Sequence, residues 1–530
     1  MRNRFREVAA LVAAAVLLAC LAACQREKSF LPEHPVIDLL VENGTIIDGR
    51  GGPPFAADVA VVGDTIVFVG DAAFAPAEPA ERVRVRIDAA GRVVSPGFID
   101  LHAHGDPAET PALENFLAMG VTTISLGQDG SSPPVVPLAD WLGQVAQRGI
   151  GTNLAMFVGH GTLRSLAGIG RTAEPEPARL DAMLEMLDET LDYTFGMTTG
   201  LEYNPGLAAG ATELRALAEV VGRRGRLVMS HLRSEDDERL EGSLAELLEQ
   251  GRHARVHVSH LKSVYGKGET RAAEILALLA EARSAGIEVT ADVYPYTASY
   301  TGISLLFPVW AKTREQFEVA KRERRDELAA WLRDRVERRN GPEATLLGTA
   351  PWTGKTLAEV AHERELPFEE VLIEDIGPDG ASAAYFVMDE ALQSRLLAEP
   401  WVGICSDGSP TGFHPRGHGT FARIIEEYVM ERKLLTLEEA VRRMSSYPAS
   451  LLGLPDRGVL AAGMKADLLV FDPERVRAVA SYTDPLRLAE GFDVVVVNGR
   501  LARRDGRLQE GLHGRVLAPA SAGAPAGVAP

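Results

Sequence analysis

From position 121 to 409 one pattern recurs, a short apolar run followed by a longer amphipathic stretch. The apolar runs are VTTISLG, GTNLAMFVG, RLVMSHLRS, RVHVSHLKS, IEVTADVYPY and WVGICSDGS. Between them stand helical patterns such as LDAMLEMLDETL and ELRALAEVVGRRG. Repeated strand–helix units of this spacing predict parallel strands covered by helices, either closed into a barrel or open as a doubly wound sheet.

Both flanks are β-rich. IDLLVENGTIID, ADVAVVGDTIVFVG and VRVRIDAAGRVVSPG precede the repeats, with Asn43-Gly44 and Gly63-Asp64 as hairpin signals. GVLAAGMKADLLVFD and DVVVVNGRLARRDGRL follow them. Two such flanks predict one small composite β-sandwich, made of 36–95 and 451–517, around a central domain at 96–450. Residues 316–340 form a charged helical stretch that reads as an outer helix or a lid. The Ala-, Pro- and Gly-rich tail, 518–530, reads as disordered.

The N-terminus carries a different signal. Arg2, Arg4 and Arg6 precede an apolar run at 8–19, about half of the roughly 20 residues that a spanning helix needs. Leu21-Ala22-Ala23-Cys24 then resembles a bacterial lipobox. The expectation is a signal peptide at 1–23 and a lipid on Cys24. A tether at 24–35 would follow, on a chain exported to the periplasmic side of a membrane. The lipid is then the sole membrane contact. Of three cysteines only Cys405 remains for the folded body, so disulfides do not hold it. A net charge of −19 argues against a nucleic-acid partner, because phosphate binding needs a basic surface.

The strand ends carry the chemistry. In PGFIDLHAHGD, His102 and His104 are two apart, so along a strand both imidazoles leave the same face. His231 closes GRLVMSH and His260 closes RVHVSH, each where an apolar run gives way to polar residues. In the second run His257 falls on the opposite face and is expected to meet an outer helix. Asp407, in WVGICSDGS, adds a carboxylate at a further strand end. Carboxyl ends of barrel strands are where barrel enzymes keep catalytic groups. Imidazole with carboxylate suits one or two divalent ions, zinc before manganese, iron or cobalt. A divalent ion acidifies water and polarises a carbonyl, while a carboxylate, here Asp407, moves the proton.

The ordered set PGFIDLHAHGD, GVTTISLGQDG, GMTTGLEYNPG, HLRSE, VHVSHLK, DVYPYTA, EPWVGICSDGS and FHPRGHGTFAR resembles the N-acyl-D-amino-acid deacylase branch of the amidohydrolase superfamily. The likeness runs from about residue 36 to 507. It implies a (β/α)8 TIM barrel with a small β domain, and hydrolysis of small N-acyl-D-amino acids or D-configured peptides. By resemblance His231 and His260 hold a tight metal, His102 and His104 a second, and Asp407 is the catalytic carboxylate. The branch commonly has a cysteine ligand where this chain reads Gly127-Gln128-Asp129-Gly130, so Asp129 is the expected replacement and Glu202 its rival.

A substrate carboxylate needs fixed cations. Lys262 lies two residues past His260 and Arg416 nine past Asp407; with Tyr294 they are the residues that the resemblance assigns to that carboxylate. His414 and His418 flank Arg416 as supporting or plain loop residues. His160, at the end of a third strand, is expected to orient the substrate or polarise its carbonyl. A cyclic-amide hydrolase is the alternative, disfavoured because no lysine lies between Arg148 and Arg223 to bridge two ions. A silent ligand-binding lipoprotein is the remaining reading, since fold alone does not make an enzyme.

Overall fold

A computed structural model describes residues 36–70, 82–135 and 137–520, with the backbone of 29–30 and 72–73. The signal peptide, Cys24, the tether apart from the backbone of 29–30, and the tail beyond 520 lie outside the described residues.

Parallel strands form the centre. Phe98–Asp100, Val121–Leu126 and Asn153–Met156 make one run; Val158–Gly159, Gly196–Gly200, Leu227–His231, Arg255–Val258, Val289–Val293 and Val402–Ile404 make the other. Phe195 N–H to Met156 O, at 2.8 Å, joins the runs, so Asn153–Met156 and Val158–Gly159 act as one interrupted third strand. The eighth strand returns to the first through Asp407 N–H to His102 O and His104 N–H to Gly408 O, both 2.8 Å. The sheet is therefore closed, which decides for the (β/α)8 barrel over the open sheet.

The strands are buried on both faces, as helix-covered parallel strands must be. Ala211–Arg223 shows why the intervening segments are helices. It buries Leu214, Leu217, Ala218 and Val221, an i, i+3, i+4, i+7 stripe turned to the barrel.

Both flanks enter one sheet. Val93–Pro96 pairs antiparallel with Leu468–Phe471 and parallel with the end of Ile37–Ile46. The sheet branches at Ile37–Ile46, and Val41, Val59, Val94, Leu468, Val470 and Val494 share a single core. Gly63-Asp64 makes the expected tight turn between Phe55–Val62 and Thr65–Gly70. Asn43-Gly44 does not make a turn. It is a bulge inside a ten-residue strand, with Asn43 at φ 62°. A Cβ on Gly44 would lie 2.4 Å from the Val94 side chain, so close strand packing explains that glycine.

The stretch at 316–340 is not an outer helix of the barrel. It belongs to an insertion between the seventh and eighth barrel strands, and supplies parts of helices Arg314–Glu323 and Arg325–Arg338. With Ser299–Gly302, Ser382–Tyr385 and Thr345–Leu347 they enclose a separate core of Leu306, Phe317, Leu328, Leu332, Leu357 and Tyr385. Their apolar positions face this small sheet, so they do not pack as an outer barrel helix. Tyr300, Leu305 and Arg339 of the insertion reach the barrel mouth.

Candidate metal centre and active site

Three sharp backbone turns aim the site. Asp129, His260 and Asp407 follow their strands with φ of 54°, 38° and 50°, a left-handed conformation that costs non-glycine residues energy and clusters at functional sites. Gly127, just before Asp129, has φ 85°, and a Cβ there would sit 2.0 Å from Phe157 O. The second strand can therefore turn towards the mouth only through a glycine. Asp100, fully buried, accepts the backbone N–H of His102 at 3.2 Å and of Ser406 at 3.0 Å. One carboxylate thus ties the strand carrying His102 and His104 to the strand carrying Asp407. Burial pushes Asp100 up to about 7, against the hydrogen bonds from Ser406 and His102.

Four imidazoles and two carboxylates converge. Asp129 Oδ1 lies 3.3 Å from His102 Nε2 and 3.3 Å from His260 Nε2; its Oδ2 lies 3.5 Å from His104 Nε2. His231 Nδ1 is 3.1 Å from His260 Nε2, and Asp407 Oδ1 is 3.2 Å from His104 Nε2. Donors held about 2.0–2.1 Å from a tetrahedral zinc stand about 3.3 Å apart, so these separations fit ligands of shared ions. Three donor groups emerge: His102–His104–Asp129–Asp407 and Asp129–His231–His260, with Asp129 common to both, and Glu202–His231–Glu235, which shares His231 with the second.

Two further observations support the fit. His102 is fully buried, its Nδ1 has no partner, and its Nε2 meets only the carboxylate oxygens of Asp129 at 3.3 Å and Asp407 at 3.7 Å, the surroundings of a ligating nitrogen. Charge points the same way. Burial disfavours the charged forms of His104 and His260, and Lys262 also opposes His260, but Asp129 and Asp407 outweigh this and raise the two to about 9 and 10. The centre holds more negative charge than its imidazoles balance when neutral. A divalent cation held by these residues would supply that balance.

Around the centre lies a supporting ring. Glu202, the rival ligand, sits on the outer nitrogen of His231, Oε2 to Nε2 3.2 Å, while Nδ1 of that ring faces the centre. Glu235 takes the corresponding place on His260, Oε1 to Nδ1 3.1 Å, and binds Lys262 Nζ at 2.6 Å. Carboxylates on the outer nitrogens fix ring orientation and raise ligand basicity. Glu235 was not legible in the sequence. It follows His231 by four residues in HLRSE, where the chain has left the strand and periodicity says nothing about direction. His257 meets the neighbouring strand rather than an outer helix, with Nδ1 2.8 Å from Thr290 Oγ1 and Nε2 3.0 Å from Asp292 Oδ2. Asp292 in turn accepts the His260 N–H at 2.5 Å. The sideways reach of an imidazole between registered strands explains the difference.

The substrate-side residues divide. Lys262 and Arg416 line a cavity of about 1000 Å³ above the centre. Arg416 donates to Asp407 Oδ2 at 2.6 Å and to Tyr300 O at 3.0 Å. Both cations keep unused donors, since ammonium has three and guanidinium five. Tyr294 is fully buried and does not line the cavity. Its ring packs against them, 5.6 Å from Lys262 Nζ and 5.0 Å from the Arg416 guanidinium carbon. His160 also lies off the cavity, buried, with Nε2 2.7 Å from Glu213 Oε1. Arg164 holds the same carboxylate, so this pair pins the helix after the third strand instead of facing a substrate. His414 donates to Ala298 O and accepts the Arg416 N–H, fixing that loop. Asp407 is pushed up by burial but pulled down further by Arg416 and the surrounding imidazoles, and lies below the usual carboxylate range.

The same arrangement of chain is found in known proteins. N-acyl-D-glutamate deacylase of Alcaligenes xylosoxydans xylosoxydans is 34% identical over 490 residues, covering 87% of this chain and 93% of that protein. The chain belongs to the amidohydrolase superfamily, among the N-acyl-D-amino-acid deacylases. D-aminoacylase of the same organism is 32% identical over 515 residues, covering 92% of this chain and 98% of the relative. A model of the amidohydrolase family matches residues 366–502. The crystal structure of N-acyl-D-glutamate deacylase from Bordetella bronchiseptica, with zinc and a phosphonate inhibitor, superposes with a TM-score of 0.78. It is 32% identical and covers 91% of this chain and all of that one. An amidohydrolase barrel with this ligand chemistry is a metal-dependent hydrolase.

Proposed function

We propose that this hydrolase cleaves the amide bond of N-acyl-D-amino acids, with His102, His104, Asp129, His231 and His260 as metal ligands and Asp407 as general acid and base. The observation that carries the reading is the position of Asp129, one carboxylate shared by two sets of imidazoles. Divalent ions held there would acidify a water and polarise the scissile carbonyl. Asp407 accepts the proton of the attacking water and returns it to the leaving nitrogen. Arg416, bonded to Asp407 Oδ2, leaves Oδ1 turned to the centre, as that role requires. The remaining donors of Lys262 and Arg416 take the carboxylate of the substrate. Tyr294 packs against the pair with its ring.

The D configuration rests on the relatives. The test is a metal-reconstituted assay on paired N-acetyl-D- and N-acetyl-L-amino acids, with dihydrouracil as a cyclic amide. Turnover of the D series with near-silence on the others is the expected outcome. Turnover of the L series or the cyclic amide alone would overturn the substrate reading.

Export and lipidation at Cys24 belong to the same proposal, supported by the basic start, the apolar run and Leu21-Ala22-Ala23-Cys24. Cells given labelled palmitate should mark the natural chain and leave Cys24→Ser unlabelled. Label on both would end the anchor proposal.

A further inference from the structure

The cavity is large for the substrate just proposed. Its volume of about 1000 Å³ is at the top of the roughly 300–1,000 Å³ that encloses drug-sized ligands, and an N-acetyl amino acid is much smaller. The unused space has a definite chemistry. Among the described residues from Leu126 to Ser165 the only charged lining side chain is Asp129 at the metal centre. The rest of that wall includes Leu126, Pro133, Pro134, Val135, Trp141 and Met156, with small hydroxyl residues between them. Across the centre, strands five to eight and the insertion bring Glu235, Asp236, Lys262, Arg339, Asp407 and Arg416.

Barrel geometry sets which part of a substrate meets which wall. Lys262 follows the sixth strand and Arg416 the eighth, so a carboxylate bound between them lies on that side of the mouth. The scissile carbonyl lies at the metal centre. The acyl group continues away from the amide, towards the second and third strands opposite. This orientation rests on the proposed function. Past Asp129, which is engaged at the metal centre, a charged acyl chain would find no counter-ion on that wall, and would lose solvation there without compensation. An apolar chain gains from leaving water.

We infer that the wall formed by Leu126, Pro133, Pro134, Trp141 and Met156 is an acyl subsite, and that the enzyme takes D-amino acids carrying apolar acyl chains longer than acetyl. Each methylene buried against it is expected to raise kcat/KM by up to about fourfold.

The test is a chain-length series of N-acetyl-, N-butanoyl-, N-hexanoyl- and N-octanoyl-D-leucine and D-glutamate, together with glycyl-D-leucine. The expected result is a rise in kcat/KM of at least about tenfold from acetyl to octanoyl on both amino acids, with glycyl-D-leucine below butanoyl. Trp141→Ser should lower the octanoyl-to-acetyl ratio by about tenfold. If that variant fails to fold, the natural chain's series still decides. A flat or falling series with acetyl substrates cleaved would overturn the acyl subsite and leave the deacylase reading standing. Faster cleavage of glycyl-D-leucine would overturn it in favour of a peptide substrate. No cleavage of any N-acyl-D-amino acid would remove the deacylase reading, and this inference with it.

Discussion

The two walls of the cavity share a floor and little else. On the side of strands five to eight nearly every functional group is held by another: Glu235 by Lys262, Asp407 by Arg416, His260 by Glu235. On the side of strands two and three the chain offers prolines, a tryptophan and small residues without charge. The difference teaches where precision is needed. A reacting carbonyl and a carboxylate must be placed within fractions of an ångström, which takes charge and hydrogen bonds with fixed direction. An apolar chain needs only room and dryness, which undirected surface provides.

If the charged wall is the chemical one, Asp407→Asn should break it most completely. A fall in kcat of about 10³-fold or more is expected, within the range for general acid–base groups, while metal analysis still finds bound ion. Loss of metal with loss of activity would instead make Asp407 chiefly a ligand. Removing metal with a chelator should likewise abolish turnover, and zinc should restore it.

His418 probes charge immediately behind that wall. It is buried in the helix Arg416–Arg423, its Nδ1 has no partner, and burial alone lowers it to about 4 from an ordinary 6.5. The unfolded chain therefore binds a proton that the folded chain refuses. No penalty acts above pH 6.5, and stability falls as pH drops towards 4. The loss is about 2–4 kcal/mol, from about 1.36 kcal/mol per pKa unit. His418→Gln should flatten that part of the stability–pH curve in urea melts. An unchanged slope would show that His418 is not the group responsible.

The supporting carboxylates should matter less than the ligands they hold. Glu202→Gln removes the charge opposite His231 Nε2 and should weaken metal affinity by about 10–100-fold, with kcat at saturating metal falling far less. Complete loss of one ion from the Glu202→Gln protein would promote Glu202 from support to ligand. It would also shift the bridging role away from Asp129.

Much of this molecule was legible before any coordinates. Alternating periodicities of strand and helix, the β-rich flanks and the strand-end histidines are local features, and local backbone geometry turns them into parallel strands whose imidazoles leave at one rim. The failures share a cause. Asn43-Gly44 has the positive-φ preference of a turn, but a bulge uses the same conformation, and only packing against Val94 selects between them. His160 sits at a strand end just as the ligands do, yet faces a buried Glu213.

The sequence by itself determined the element types, the strand–helix repeat and the inventory of donors, because those depend on residue spacing along the chain. Tertiary structure alone decided which donors meet. It made Asp129 the shared carboxylate, put Glu202 and Glu235 behind the ligand rings, and set an uncharged wall against a charged one. The physical reason is that these relations join residues from different strands and from an insertion with its own core. Their distances are fixed by barrel closure and side-chain packing, which leave no period in the sequence.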